Sequence, residues 1–125
     1  MSRKIEDLTQ ETQQKFAEFK ERMDTAGIDF IVTATLRTHE EQEKLYAQGR
    51  TAPGKIVTWT LNSKHLGGTA FDIVIMSNGK PDWDISNQGW LKAGQIADSI
   101  GLEWGGFWKK SPDYPHIQLK ETANA

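Results

Sequence analysis

The sequence predicts an α+β fold: a small mixed or antiparallel sheet flanked by about three helices. Three observations carry this reading. Leu8, Phe16, Phe19 and Met23 recur at helical spacing through residues 6–26. Residues 28–36 and 69–75 are rich in β-branched and aromatic side chains and read as buried strands. Two short apolar segments, 102–108 and 115–119, complete the sheet near the end of the chain.

Taken in order, the first helix covers residues 6–26, with charged residues opposite its apolar face and Gly27 placed as a C-terminal stop. The strand at 28–36 follows. Thr38 can then cap a second helix over 39–48, which Gly49 ends. Residues 50–64, with Pro53, Gly54, Asn62 and Ser63, read as a loop that holds a short strand at 56–60. Gly67 and Gly68 turn the chain into the strand at 69–75, and Asn78-Gly79 marks a turn within 77–84. Ser86 is placed to cap a third helix through Ile100, closed by Gly101. Residues 121–125 read as a frayed tail.

At 125 residues the chain has the length of one domain, 1–125, able to bury a core without disulfides. A formal net charge of -2 offers no basic stripe, which disfavours nucleic acid and anionic surfaces as partners. The absence of cysteine excludes thiolate zinc sites and leaves His, Asp and Glu as strong metal ligands. The opening MSRKIEDLTQETQQKF has no apolar core of a signal peptide, and no window approaches a membrane span. If the protein acts outside the cytoplasm, the expectation is that another protein lets it out. A monomer is expected.

One residue conflicts with its surroundings. Asp72 lies among Ala70, Phe71, Ile73, Val74 and Ile75, and an ionised carboxylate taken into apolar surroundings persists only when paired, hydrogen-bonded or bound to a metal. His65 precedes it by seven residues, just ahead of the glycine turn, and can fold back over the strand. His116 follows in SPDYPHIQL, with Asp113 three residues before it. Two imidazoles and a carboxylate form a common ligand set for catalytic zinc, one that leaves a coordination position open to solvent. A carboxylate at 113 can take up a proton beside such a site. A His or Asp in a mixed fold is more often a hydrogen-bonded structural residue than a ligand, and spacing alone leaves both readings open.

Ser63, His65, Gly68, Ala70 and Asp72 spell S-x-H-x-x-G-x-A-x-D, and Asp113 with His116 spells D-x-P-H. Together with LRTHEEQEKLYAQGRT and GLEWGGFW, these blocks span most of residues 30–120. They resemble the zinc D-Ala-D-Ala carboxypeptidase and L-alanyl-D-glutamate endopeptidase family, nearest to its short single-domain phage endolysins. The resemblance implies a hedgehog-like or DD-peptidase-like zinc fold. It places one Zn2+ on His65, Asp72 and His116, the general base on Asp113, and a substrate-binding arginine at Arg37. Ser63 and Gln42 fall on polar positions lining the family's site. The family often reads S-G-Y-R where this chain reads Thr35-Leu36-Arg37.

The implied activity is hydrolysis of a peptidoglycan stem-peptide bond. The first expectation is an L-alanyl-D-glutamate endopeptidase acting in host lysis, held in the host cytoplasm until it reaches the wall. The alternatives are D-Ala-D-Ala carboxypeptidase and a non-catalytic zinc-containing module that grips wall peptides. Trp104 and Trp108 flank Gly105-Gly106 and are candidates to stack on substrate, although aromatics on short strands are more often core. Trp59, Trp83 and Trp90 read as packing residues, and His39 as a solvated surface residue. Glu103 either hydrogen-bonds a ligating histidine or faces solvent.

Overall fold

The computed structural model describes residues 1–58, 60–61 and 63–120. In chain order it contains helix α1 (Gln10–Thr25), strand β1 (Phe30–Ala34), helix α2 (His39–Ala47), strands β2 (Ala70–Ser77) and β3 (Lys80–Pro81), helix α3 (Gln88–Ser99), and strands β4 (Leu102–Trp104) and β5 (His116–Leu119). Single 3-10 turns lie at Ile5–Asp7, Lys64–Gly67 and Gly105–Phe107. The strands run in the order β1-β2-β5-β4, with β3 paired to the end of β2, and every pairing is antiparallel. Of the mixed and antiparallel alternatives, the described residues form the antiparallel one. No helix among them is long and apolar enough to cross a membrane.

Local chemistry explains where the elements begin and stop. The Thr9 hydroxyl accepts from the Thr12 amide, so α1 starts later than its apolar periodicity suggests, and residues before it form a 3-10 turn. Thr38 and Glu41 make a reciprocal capping box at the start of α2. Asn87 caps α3 by accepting from the Gly89 amide; Ser86 instead bonds the Asp84 carboxylate. The expected strand at 56–60 does not form among the described residues there, because Thr58 and the Thr60 carbonyl are taken by the Gln42 side chain. β4 ends at Trp104 because the chain turns at Gly105–Phe107.

One face of the sheet packs on α1 and α3. Phe71, Ile73 and Ile75 of β2 join Leu102, Ile117, Phe19, Met23 and Trp90 in one apolar core. The rings of Phe16 and Phe71 meet edge to face at 5.1 Å. Each fully buried side chain of this size contributes about 1.5–3 kcal/mol of transfer free energy. Trp90 is core, as expected. Trp83 is not: it is 57 % exposed, stacking one face on Trp90 at 6.0 Å and turning the other to solvent. His39 is exposed. The readings of Trp59 as packing and of 121–125 as a tail lie outside the described residues.

The opposite face carries the polar side chains. Asp72 of β2 sits opposite Ala34 of β1 and His116 of β5, Gln118 sits opposite Ala70, and Glu103 of β4 sits opposite Gln118. Period-two alternation thus places Asp72, His116, Gln118 and Glu103 together while their neighbours fill the core.

Candidate metal centre

His65 arrives from the 3-10 turn at Lys64–Gly67. The Ser63 hydroxyl caps that turn by accepting from the His65 amide at 3.2 Å, and Gly68 leaves it with φ 71, a left-handed conformation that favours glycine. Two bonds clasp His65 to the segment after β1: the Arg37 amide donates to its carbonyl at 3.1 Å, and its ring Nδ1 lies 2.7 Å from the Thr35 carbonyl. His65 is 1 % exposed.

Its Nε2 stands 3.0 Å from Asp72 Oδ1, and the Nδ1 of His116 stands 3.4 Å from the same oxygen. One donor atom from each of His65, Asp72 and His116 lies within 4.8 Å of the others, the arrangement of a group that could hold a metal ion. Ligands about 2.0–2.1 Å from a tetrahedral ion stand roughly 3.3 Å apart, close to both distances.

The protons make the same point. The Thr35 carbonyl only accepts, so His65 Nδ1 carries the hydrogen and Nε2 turns a lone pair inward. His116 Nε2 lies 2.8 Å from Gln118 Oε1, likewise an acceptor, so its Nδ1 also turns a lone pair inward. Two imidazole lone pairs and a carboxylate then face one another, and only a cation reconciles them. In the metal-free protein a proton on His116, facing Asp72, does so. Burial works against charge at both Asp72 and His116, but their hydrogen bonding and mutual attraction prevail. Asp72 is held well below the usual carboxylate range, and His116 is raised above its ordinary value.

These groups open onto a cavity of about 570 Å³ whose wall includes Arg37, Ser63, Lys64, Trp108 and Asp113. Desolvation by that wall, then the Asp72 charge, raise Asp113 above the ordinary carboxylate value; His116, His65 and Arg37 pull the other way. Burial lowers Arg37, opposed by Asp72, Asp113 and Glu41. Gln42 lies behind Arg37 with no exposure, accepting from its Nη1 at 2.7 Å and donating to the Thr60 carbonyl at 2.6 Å. Its polar atoms face the protein, so Gln42 orients the arginine instead of lining the cavity as a substrate contact.

Trp104, another expected substrate contact, is core: it is 4 % exposed and donates from Nε1 to the Tyr114 carbonyl at 2.7 Å. The turn at Gly105–Phe107 presents Trp108 to the cavity instead, its ring 5.3 Å from that of His116. Glu103 reaches His116 only through Gln118, a residue that sequence reasoning missed; its position two residues along β5 from His116 was the available signal.

A family model described as D-alanyl-D-alanine carboxypeptidase matches residues 57–119. The peptidoglycan L-alanyl-D-glutamate endopeptidase CwlK of Bacillus subtilis is 40% identical over 103 residues, covering 74% of this chain and 62% of CwlK. The L-alanyl-D-glutamate peptidase of Listeria phage A118 is 32% identical over 118 residues, 93% of this chain and 38% of the phage protein. The chain therefore spans less than two thirds of either relative. The crystal structure of the Serratia marcescens L-Ala D-Glu endopeptidase ChiX superposes with a TM-score of 0.70 at 26% identity, over 93% of this chain and 83% of ChiX.

Proposed function

The chain belongs to the D-alanyl-D-alanine carboxypeptidase family, and from that premise we propose that it is a zinc-dependent peptidase that cuts the peptidoglycan stem peptide between L-alanine and D-glutamate. The observation that carries the reading is the convergence of three inward-facing acceptors, on His65, Asp72 and His116, at the floor of a cavity that also holds Asp113 and Arg37. A purely structural ion needs neither of the last two. The named endopeptidases among the relatives support the choice of bond, and the phage relative supports a role in host lysis.

His65 Nε2, Asp72 Oδ1 and His116 Nδ1 would hold the zinc, which when bound supplies Lewis acidity toward solvent and the scissile carbonyl. The chain's own groups do the rest. Asp113, with its raised proton affinity, removes a proton from solvent as it attacks and returns that proton to the departing amine. The Arg37 guanidinium, aimed by Gln42, meets negative charge as it develops on the carbonyl oxygen. Trp108 forms a side wall against which the peptide lies.

The test is digestion of purified peptidoglycan with and without chelator, followed by mass spectrometry of the stem peptides. A new D-glutamate amino terminus that chelator abolishes is the expected result. Loss of terminal D-alanine alone would make the protein a carboxypeptidase, and unchanged peptides would make it a binding module.

A further inference from the structure

Each candidate ligand histidine has its outer nitrogen fixed by an oxygen acceptor, but the two acceptors differ in kind. The Thr35 carbonyl that meets His65 is backbone and cannot present anything else. The Gln118 side chain that meets His116 is an amide, and turning it over would replace its oxygen with an NH2 group. An NH2 facing Nε2 favours the opposite tautomer, with the hydrogen on Nδ1, where the ion must bind.

The far side of Gln118 decides which way round the amide sits. Its Nε2 faces Glu103 Oε2 at 3.5 Å, and that same oxygen accepts the Trp108 indole N–H at 2.8 Å. A carboxylate only accepts, so it draws the NH2 group toward itself and leaves the amide oxygen for His116. Glu103 and Gln118 are direct cross-strand neighbours on β4 and β5, and Gln118 is only 9 % exposed, which limits the solvent available to substitute for Glu103.

We propose that Glu103 is a positioning residue: by orienting the Gln118 amide it fixes the His116 tautomer and keeps Nδ1 free to receive the metal ion. The inference rests on the zinc reading above. It assigns Glu103 a task distinct from holding Trp108, although one oxygen serves both.

Zinc dissociation constants, measured by competition with a chelating dye, test it across four proteins. Glu103→Leu removes the acceptor, and its zinc affinity is expected to fall by about 10–100-fold, the range for groups that orient a metal ligand. Glu103→Gln removes the same charge but keeps an oxygen for Gln118 and Trp108, and stays within about threefold of the parent. Glu103→Leu with Gln118→Glu regains most of the loss, because a carboxylate at 118 accepts from His116 either way round.

Equal affinities for the parent and Glu103→Leu, or equal losses in Glu103→Leu and Glu103→Gln, would overturn the proposal. If Glu103→Leu does not fold, Glu103→Met, unbranched like glutamate and without a carboxylate oxygen, makes the same comparison with Glu103→Gln, and only the methionine variant loses zinc affinity. A parent that binds no zinc would instead overturn the metal reading itself.

Discussion

At the scale of single residues, the proposed mechanism divides the chemistry between Asp113, which serves turnover, and His116, which serves metal capture. Asp113 faces the cavity with its proton affinity raised, but none of its side-chain atoms belongs to the ligand cluster. Asp113→Asn is therefore expected to keep one zinc per chain while losing about 10²–10⁴-fold in turnover, the usual contribution of a general base. Metal content by mass spectrometry alongside a digestion assay checks both halves; loss of the ion with the rate would remove Asp113 from that role. His116 gives the site a pH signature. Its folded value lies above its unfolded one, so in metal-free protein its contribution is complete below the unfolded value and disappears as pH rises through the folded one. Zinc needs both imidazoles neutral and gains across the same window. Thermal melts at about pH 6 and pH 8 should show this contribution shrinking with pH without zinc, and zinc's stabilisation growing.

At the scale of elements, the site depends on loops clasped to the sheet. The turn at Gly105–Phe107 both exposes Trp108 and seats Asp113, whose amide donates to the Gly105 carbonyl at 3.0 Å. A Cβ on Gly105 would fall 2.3 Å from the Asp113 carbonyl oxygen, a separation that forces one of them to move. Gly105→Ala is expected to lower turnover by about tenfold or more, since a 1 Å misplacement can cost about 10²-fold, while zinc affinity changes far less. Steady-state kinetics with zinc titration would decide, and unchanged turnover would show that the turn does not set the base. This is also where sequence and structure parted. Helix periodicity, the Thr38 cap and the alternation of β2 were readable, because each is a local pattern; the cap of α3 was misread by one residue. The places of Trp104 and Trp108 were not: they depend on a tight turn that sends neighbouring aromatics to opposite sides, one against Gly94 and Gly106, the other toward the cavity.

Across the whole molecule, two faces of one sheet do different work. One buries the aromatic core against α1 and α3, and the other lines up Asp72, His116, Gln118 and Glu103 while the segment after β1 brings Thr35 and Arg37 to His65. His65, Asp72 and His116 could be singled out from sequence because the chain has only three histidines and Asp72 is a carboxylate set among apolar strand residues, whereas Asp113 was assigned as the base through the family resemblance. Gln42, Gln118 and the Thr35 carbonyl could not be assigned their orienting tasks. A buried amide or a backbone oxygen acquires such a task only from what the fold sets beside it. The central claim is that His65, Asp72 and His116 share one ion. A crystal of the zinc-loaded protein measured at the zinc absorption edge tests it most directly. The expected result is one anomalous peak about 2.0–2.2 Å from His65 Nε2, His116 Nδ1 and an Asp72 oxygen; a peak bound elsewhere, or none at this cluster, would contradict it.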